Sequence, residues 1–373
     1  MAIPWRGWGA TSSEPSWRAS PPSPAREVAQ RVIDALVAPF VVGERDVFAR
    51  ASIGIALSRP ETAGPDDLLR DADVALYRAK ESGRHTAVVF EVDMAEAVAA
   101  WVALEADLRQ ALERDELMLH YQPIVELASG RIVAAEALLR WDHPQRGMIS
   151  PDEFIPLAEE THLIEAIDSW VLEQACRQAS AWQPAEPGEA PFGISVNLSA
   201  RQFRNERLID EVRAVLARTG LPAAALKLEI TEHVLIDETA ATARTLSDLQ
   251  KLGVKLAIDD FGTGYSSLGY LRHLPVDGLK MDSVFVRGLG REAGGAAIVE
   301  AIVALAYALG MRVTAEGIET AEQLVYLRSI GCDRGQGFLF AHGLPADELS
   351  SRLKLTWPVL GAAVSRLSAA STD

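Results

Sequence analysis

Carboxylates, carboxamides and one ammonium recur through the second two-thirds of the chain, each beside a short apolar run. Glu136 lies in Ala135-Glu136-Ala137-Leu138, and Asn197 closes Ile194-Ser195-Val196-Asn197. Glu229 sits in Leu228-Glu229-Ile230-Thr231-Glu232, and Asp259-Asp260 follow Leu256-Ala257-Ile258. Lys280 and Asp282 frame Met281. Glu316 follows Val313-Thr314-Ala315, Glu319 comes three residues later, and Gln336 opens the last apolar run. One acid at one strand end is ordinarily a cap or a solvated charge. Six successive strand ends bearing such groups predict a shared site. Five carboxylates in one place repel, and they stay ionised only with cations among them. Hard oxygen ligands with one amide oxygen suit Mg²⁺ or Mn²⁺ rather than zinc. Adjacent Asp259 and Asp260 would let one carboxylate bridge two ions while the other serves the second ion. Two metals about 3.5–4 Å apart hold an attacking hydroxide and a leaving oxygen in line, as phosphodiester cleavage needs. Lys280 then supplies a cation near the nucleophilic water or the developing phosphorane charge.

These groups converge only if the strands that carry them are parallel neighbours. Strands are expected at Leu117–Val125, Ile132–Leu139, Gly193–Leu198, Leu226–Ile230, Val254–Ile258, Gly278–Met281, Arg312–Ala315 and Gly337–Phe340. Helical patterns lie between most of them, at Pro151–Trp182, Ala200–Thr219, Asp237–Leu252, Ala293–Leu309 and Thr320–Ile330. Eight strands with helical crossovers predict a closed TIM-like (β/α)8 barrel, whose strand C-termini share one mouth. A doubly wound open sheet is the rival, disfavoured because chemistry follows nearly every strand rather than one switch point. After the acid pair, Phe261-Gly262-Thr263-Gly264-Tyr265-Ser266-Ser267-Leu268 reads as a mobile functional loop. The histidines, including His120, His143 and His233, show no ligand spacing and read as structural or surface residues.

The chain has 373 residues, enough for two domains or for one large barrel with an appendage. Its 36 Lys and Arg against 52 Asp and Glu leave a net charge of −16, which argues against binding DNA, RNA or anionic lipid. Cys176 and Cys332 form no zinc pattern and no disulfide framework, as expected of a cytoplasmic protein. Residues 1–24 carry Trp5, Trp8 and Trp17 among Pro and Ser and read as a disordered tail, as do residues 359–373. Ala293–Met311 has Glu300 as its one charge, but its Ala and Gly content and flanking strands predict a buried barrel helix and no membrane span. Residues 25–92 read as a small α/β piece. It has a helical run through Val28, Val32, Ile33 and Leu36, and a strand pair around Val41 and Ala51–Ala56. A helix from Asp66 to Ser82, ended by Gly83, and a strand at Val88-Val89-Phe90 complete it. Residues 93–114 predict a connecting helix with an amphipathic face, and 115–358 the barrel.

Glu136-Ala137-Leu138-Leu139-Arg140-Trp141 resembles the signature of the EAL family of cyclic-di-GMP phosphodiesterases. The resemblance continues through Tyr121-Gln122-Pro123-Ile124, Asn197-Leu198-Ser199, Glu229-Ile230-Thr231-Glu232, the Asp259–Leu268 segment, Lys280-Met281-Asp282, Glu316-Gly317-Ile318-Glu319 and Gln336-Gly337-Phe338. It spans about Asp107 to Asp347. It implies a barrel that hydrolyses cyclic di-GMP to linear pGpG with two Mg²⁺ or Mn²⁺ ions. Glu136, Asn197, Glu229, Asp259, Asp260 and Glu316 would be the metal ligands. Lys280 would orient or activate the water with help from Gln336. Glu232 would hold the glycine loop and Glu319 would support the site. Arg140 would contact a substrate phosphate, Gln122 a guanine edge, and Asp282 would also serve substrate binding. A homodimer through the region beside loop 261–271 is implied too. Gly269 stands where the family usually has Ser, and Ser283 follows Asp282 where Arg is common; neither is a proposed ligand. A non-hydrolytic cyclic-di-GMP-binding or protein-interaction module is the alternative, which decay of the ligand positions would signal; none is seen. Ala51–Ala56 and Leu68–Lys80 resemble the C-terminal portion of a GGDEF diguanylate cyclase domain, without its signature loop or the strands before it. The segment is therefore expected to be a truncated remnant with no cyclase site. Its Arg70-x-x-Asp73 belongs to the matched helix and is not the family's inhibitory site.

Overall fold

The computed structural model describes residues 24–36, 40–42, 45–47, 51–58, 64–81, 85–184, 186, 188–235, 240–262, 271–272, 274–289 and 294–353. The expected tails, apart from Pro24, and residues 263–270 of the glycine-rich loop lie outside the described residues. The chain divides into two compact units, Met1–Asp107 and Leu108–Asp373.

The first unit holds a helix at Pro24–Ala35 and a hairpin of β1 (Phe40–Val42) with β2 (Arg45–Val47). It also holds β3 (Ile53–Ile55) parallel to β4 (Ala87–Val89), with the helix Pro65–Glu81 crossing between them. Pro65 opens that helix and Asp66 and Asp67 follow in its first turn, where the dipole favours acids. Among the described residues the expected pairing of Val41 with the 51–56 segment is not present. Val41 pairs with Asp46 of β2, and β3 instead takes β4, which a helical crossover brings alongside in parallel. The helix Val92–Ala111 follows, and the division between the units falls within it.

The second unit is a closed barrel of β5 (Leu117–Glu126), β6 (Ile132–His143), β8 (Gly193–Leu198), β9 (Leu226–Thr231), β10 (Lys255–Phe261), β11 (Gly278–Met281), β12 (Arg312–Ala315) and β13 (Arg334–Gly335), in that circular order. A short β7 (Gly147–Ile149) pairs with the distal end of β6. Ile194, Ser195, Val196 and Leu198 are all buried and Asn197 is exposed, so β8 is covered on both faces up to its C-terminal end.

Several details depart from the sequence expectation, among them the division of Ala200–Thr219 into helices Ala200–Phe203 and Leu208–Thr219. β5 runs antiparallel to both β6 and β13, so seven strands rather than eight share a direction. β6 continues past Glu136 to His143 because β5 and β7 keep pairing with it. The expected helix Pro151–Trp182 is two helices, Pro151–Glu160 and Ile164–Ala181, with His162 at φ +65 between them. The last strand is Arg334–Gly335, and Phe338–Phe340 form a turn. Gln336 therefore follows that strand instead of opening it. Ala293–Met311 contains a helix of 14 residues, Gly295–Ala308, buried along one face with Ile298 and Tyr307 exposed on the other. Among the described residues no helix is long and apolar enough to cross a membrane.

Candidate active site

Parallel pairing sets Glu136 of β6 opposite Ser195 of β8, Asn197 opposite Glu229 of β9, and Ala257 of β10 opposite Glu229. The side chains that share the interior face therefore rise in a ring toward the C-terminal mouth. Lys280 stands at the centre, 1 % exposed. Its Nζ lies 2.6 Å from Glu229 Oε2, 2.8 Å from Glu316 Oε1, 3.0 Å from Asp259 Oδ1 and 3.2 Å from Glu136 Oε2. Asn197 Nδ2 donates to Glu136 Oε1 at 2.8 Å. Gln336 Nε2 donates to Glu136 Oε2 at 2.7 Å and to Glu316 Oε1 at 3.0 Å. Eight of the thirteen predicted site residues are thus brought together: Glu136, Asn197, Glu229, Asp259, Asp260, Lys280, Glu316 and Gln336.

Crowded burial divides the protons unequally. Burial opposes the charge on Glu136, but Lys280 and the amides of Gln336 and Asn197 outweigh it and hold this carboxyl below its usual range. Burial, with Glu136 and Asp259 adding repulsion, pushes Glu229 up to about 7 and Glu316 up to about 8. Burial, with Asp259 and Asp282, raises Asp260 to about 6. Burial also works against the charge on Lys280, but four carboxylates raise its pKa well above the ordinary lysine value.

The other predicted residues surround this ring. Glu232, buried at the start of the helix Glu232–Leu235, accepts from Gly262 N through Oε2 at 2.9 Å. Gly262 has φ +99, and a Cβ there would lie 2.7 Å from Phe285 Cε2. Gln122 faces Glu136 across the β5–β6 ladder, with Nε2 donating to Ala341 O at 3.0 Å. Arg140 lies four residues along β6 from Glu136, and Nη1 donates to Leu139 O at 2.8 Å. Asp282 caps the helix Ser283–Arg287 by accepting from Val284 N at 2.7 Å. Glu319 is exposed, and its backbone N–H donates to Gln323 Oε1 at 2.8 Å. One residue beside the site went unread in the sequence. Asp168, on the helix Ile164–Ala181, accepts from Ser199 N at 3.3 Å, and burial raises it to about 7. An acid inside the apolar run Leu163–Leu172 was its only signal.

The donor set fits hard divalent ions. Carboxylate oxygens of Asp259, Asp260 and Glu316 all lie within 4.8 Å of one another, a spread that one ion with bonds of about 2.0–2.6 Å can span. Glu229 Oε1 is buried without a hydrogen-bond partner, although the residue is 1 % exposed, so a ligand-grade oxygen is left over.

Residues 105–343 match the family model of the EAL domain. The chain belongs to the EAL domain family. It also carries part of a GGDEF domain, since residues 19–86 match the model "Diguanylate cyclase, GGDEF domain". The EAL domain chain is 44% identical over 328 residues to the bifunctional diguanylate cyclase/cyclic di-GMP phosphodiesterase MucR of Pseudomonas aeruginosa, covering 88% of this chain and 48% of that protein. It is 40% identical over 330 residues to the cyclic di-GMP phosphodiesterase NbdA of the same species, covering 88% and 42%. The chain thus spans about half the length of these curated relatives. Among solved structures it resembles the PaMucR phosphodiesterase in complex with c-di-GMP, at 48% identity and TM-score 0.63, covering 66% of this chain and 99% of that one.

Proposed function

We propose that this chain hydrolyses cyclic di-GMP to linear pGpG in bacterial signalling, at the barrel mouth and with two Mg²⁺ or Mn²⁺ ions. The observation that carries the reading is the buried Lys280 ammonium within 3.2 Å of four carboxylates, beside the Asp259–Asp260–Glu316 cluster. Five carboxylates outweigh the Lys280 ammonium and the nearby Lys227, leaving a net negative charge that divalent ions would offset. Glu136, Asn197, Glu229, Asp259, Asp260 and Glu316 would hold those ions. When bound, they supply Lewis-acid stabilisation of phosphoryl charge and a water acidic enough to attack near neutral pH.

The protein's own groups then have distinct tasks. Lys280 keeps its proton because four acids surround it, so it works as a hydrogen-bond donor that orients the water and stabilises charge, and not as a base. Gln336 donates to Glu136 and Glu316 together and fixes their rotamers. Glu232 holds the Gly262 backbone. Arg140 would meet a phosphate, and Gln122 a guanine edge once it exchanges its bond to Ala341 O. Asp282, at the rim, would join them in binding substrate, with Glu319 supporting the site from outside it. The same reading includes a homodimer beside residues 261–271, checked by light scattering. It also places the chain in the cytoplasm, in keeping with the buried, unbridged Cys176 and Cys332.

The test is incubation of the purified chain with cyclic di-GMP and Mg²⁺ or Mn²⁺, with chromatographic detection of pGpG. Product is expected with the wild type, and Glu136→Ala is expected to lose ion binding and turnover together. A folded barrel that yields no product with either ion overturns the reading.

A further inference from the structure

Asn197 is carried by a strand that has lost one neighbour at its height. β8 pairs with β6 only as far as Val196 opposite Ala137, whereas its pairing with β9 continues through Asn197–Glu229 and Leu198–Ile230. Asn197 Nδ2 is engaged by Glu136, which turns the amide oxygen to the other edge of the group. The chain then leaves the strand at Ser199, whose Oγ accepts from Gln202 N at 3.1 Å and caps the helix Ala200–Phe203. The Ser199 N–H points the other way, to Asp168 Oδ2 at 3.3 Å, and the Ser199 hydroxyl also hydrogen-bonds that carboxylate. Glu211 is drawn aside by Gln202 Nε2 at 2.6 Å, and Arg201 leans toward Glu165 at 3.7 Å. Among the described residues, Asp168 is the acid that ties the free side of this strand end to the outer helix layer.

We propose that Asp168 is a positioning residue for the metal centre: by holding Ser199 from the helix Ile164–Ala181 it fixes the end of β8 and aims the Asn197 carboxamide oxygen into the mouth. The inference rests on the reading of that mouth as a divalent-ion site. Outer partners of metal ligands typically change ion affinity by about 10–100-fold when removed.

The experiment titrates Mn²⁺ into the full chain without substrate, following free Mn²⁺ by electron paramagnetic resonance. Asp168→Ala is expected to weaken binding about tenfold. Asp168→Asn keeps a carbonyl oxygen for the Ser199 N–H and is expected to stay near wild type. Asn197→Ala weakens binding as well, and Asp168→Ala added to it is expected to weaken it no further, because both act through one ligand. Thermal unfolding in chelator confirms that each variant is folded. If Asp168→Ala is not, Ser199→Ala, which removes the hydroxyl bond to Asp168 together with the cap on Gln202 N but keeps the Ser199 N–H bond, is expected to show an intermediate loss. Wild-type affinity in Asp168→Ala (or in Ser199→Ala where that stands in), or a full multiplicative loss in the double variant, overturns the inference. A wild type that binds no Mn²⁺ defeats the metal centre itself, and that failure shows before any variant is compared.

Discussion

Lys280 occupies a place where an ammonium is costly to bury and its surrounding acids are costlier still without it. Removing one partner of a buried charge cluster costs about 3–5 kcal/mol, because the remaining charges lose compensation. Lys280→Met is therefore expected to lower the melting temperature in chelator and to abolish cyclic di-GMP hydrolysis. An active variant would remove Lys280 from the reaction. The neighbouring acids make a second prediction. Glu229 at about 7, Glu316 at about 8 and Asp260 at about 6 hold protons more tightly folded than unfolded, and Asp168 at about 7 adds in the same direction. The folded state thus carries extra protons between about pH 4 and 8, and stability of the ion-free protein is expected to fall as pH rises through that window. Mn²⁺ must displace the protons on Glu229, Glu316 and Asp260, so its affinity should climb over the same range. Melts in chelator at pH 5, 6.5 and 8, with ion titrations alongside, check both; a protein that grows more stable with pH across that window contradicts the assignment.

At the scale of elements, the site depends on places where backbone meets backbone. After β13 the chain lies against the segment that follows β12, with Ile318 N donating to Gln336 O at 3.1 Å and Leu339 N donating to Ile318 O at 2.9 Å. Gly337 permits this at φ +154, since a Cβ there would fall 2.3 Å from both Ile318 N and O. Gly337→Ala is expected to separate the two segments, to cost about 1–3 kcal/mol, and to reduce turnover by displacing Gln336 and Glu316 together. Chemical denaturation and the pGpG assay read the two effects. The carboxylate ring was legible in the sequence because Glu136, Glu229, Asp259 and Lys280 are charges set within apolar runs, where solvation alone gives them no reason to be. The reversal of β5 was not, since antiparallel and parallel strands buried on both faces have similar patterns. The last strand was misplaced for a related reason. Gly337–Phe340 is the apolar run, whereas the paired residues are Arg334 and Gly335, neither of which advertises a strand. Asp168 escaped because its meaning lies in Ser199, 31 positions away.

At the scale of the molecule, all eight converging groups belong to the unit Leu108–Asp373, and residues of the first unit contribute none of them. A variant beginning at Glu105 is therefore expected to fold, to bind Mn²⁺ and to keep hydrolysis within about tenfold of the full chain, since local stability follows compact units. Loss of ion binding in a folded variant of this kind would show that the first unit completes the site. The antiparallel course of β5 has one more consequence. Because β5 descends while β6 climbs, the turn joining them, with Ala128 and Ser129 exposed, sits at the pole opposite the acids. Its backbone is closed by Glu126 N on Arg131 O and Gly130 N on Glu126 O. A fluorophore or affinity peptide spliced between Ala128 and Ser129 would be carried a full barrel length from the chemistry, offering a handle by which the protein can be immobilised or tracked while it works.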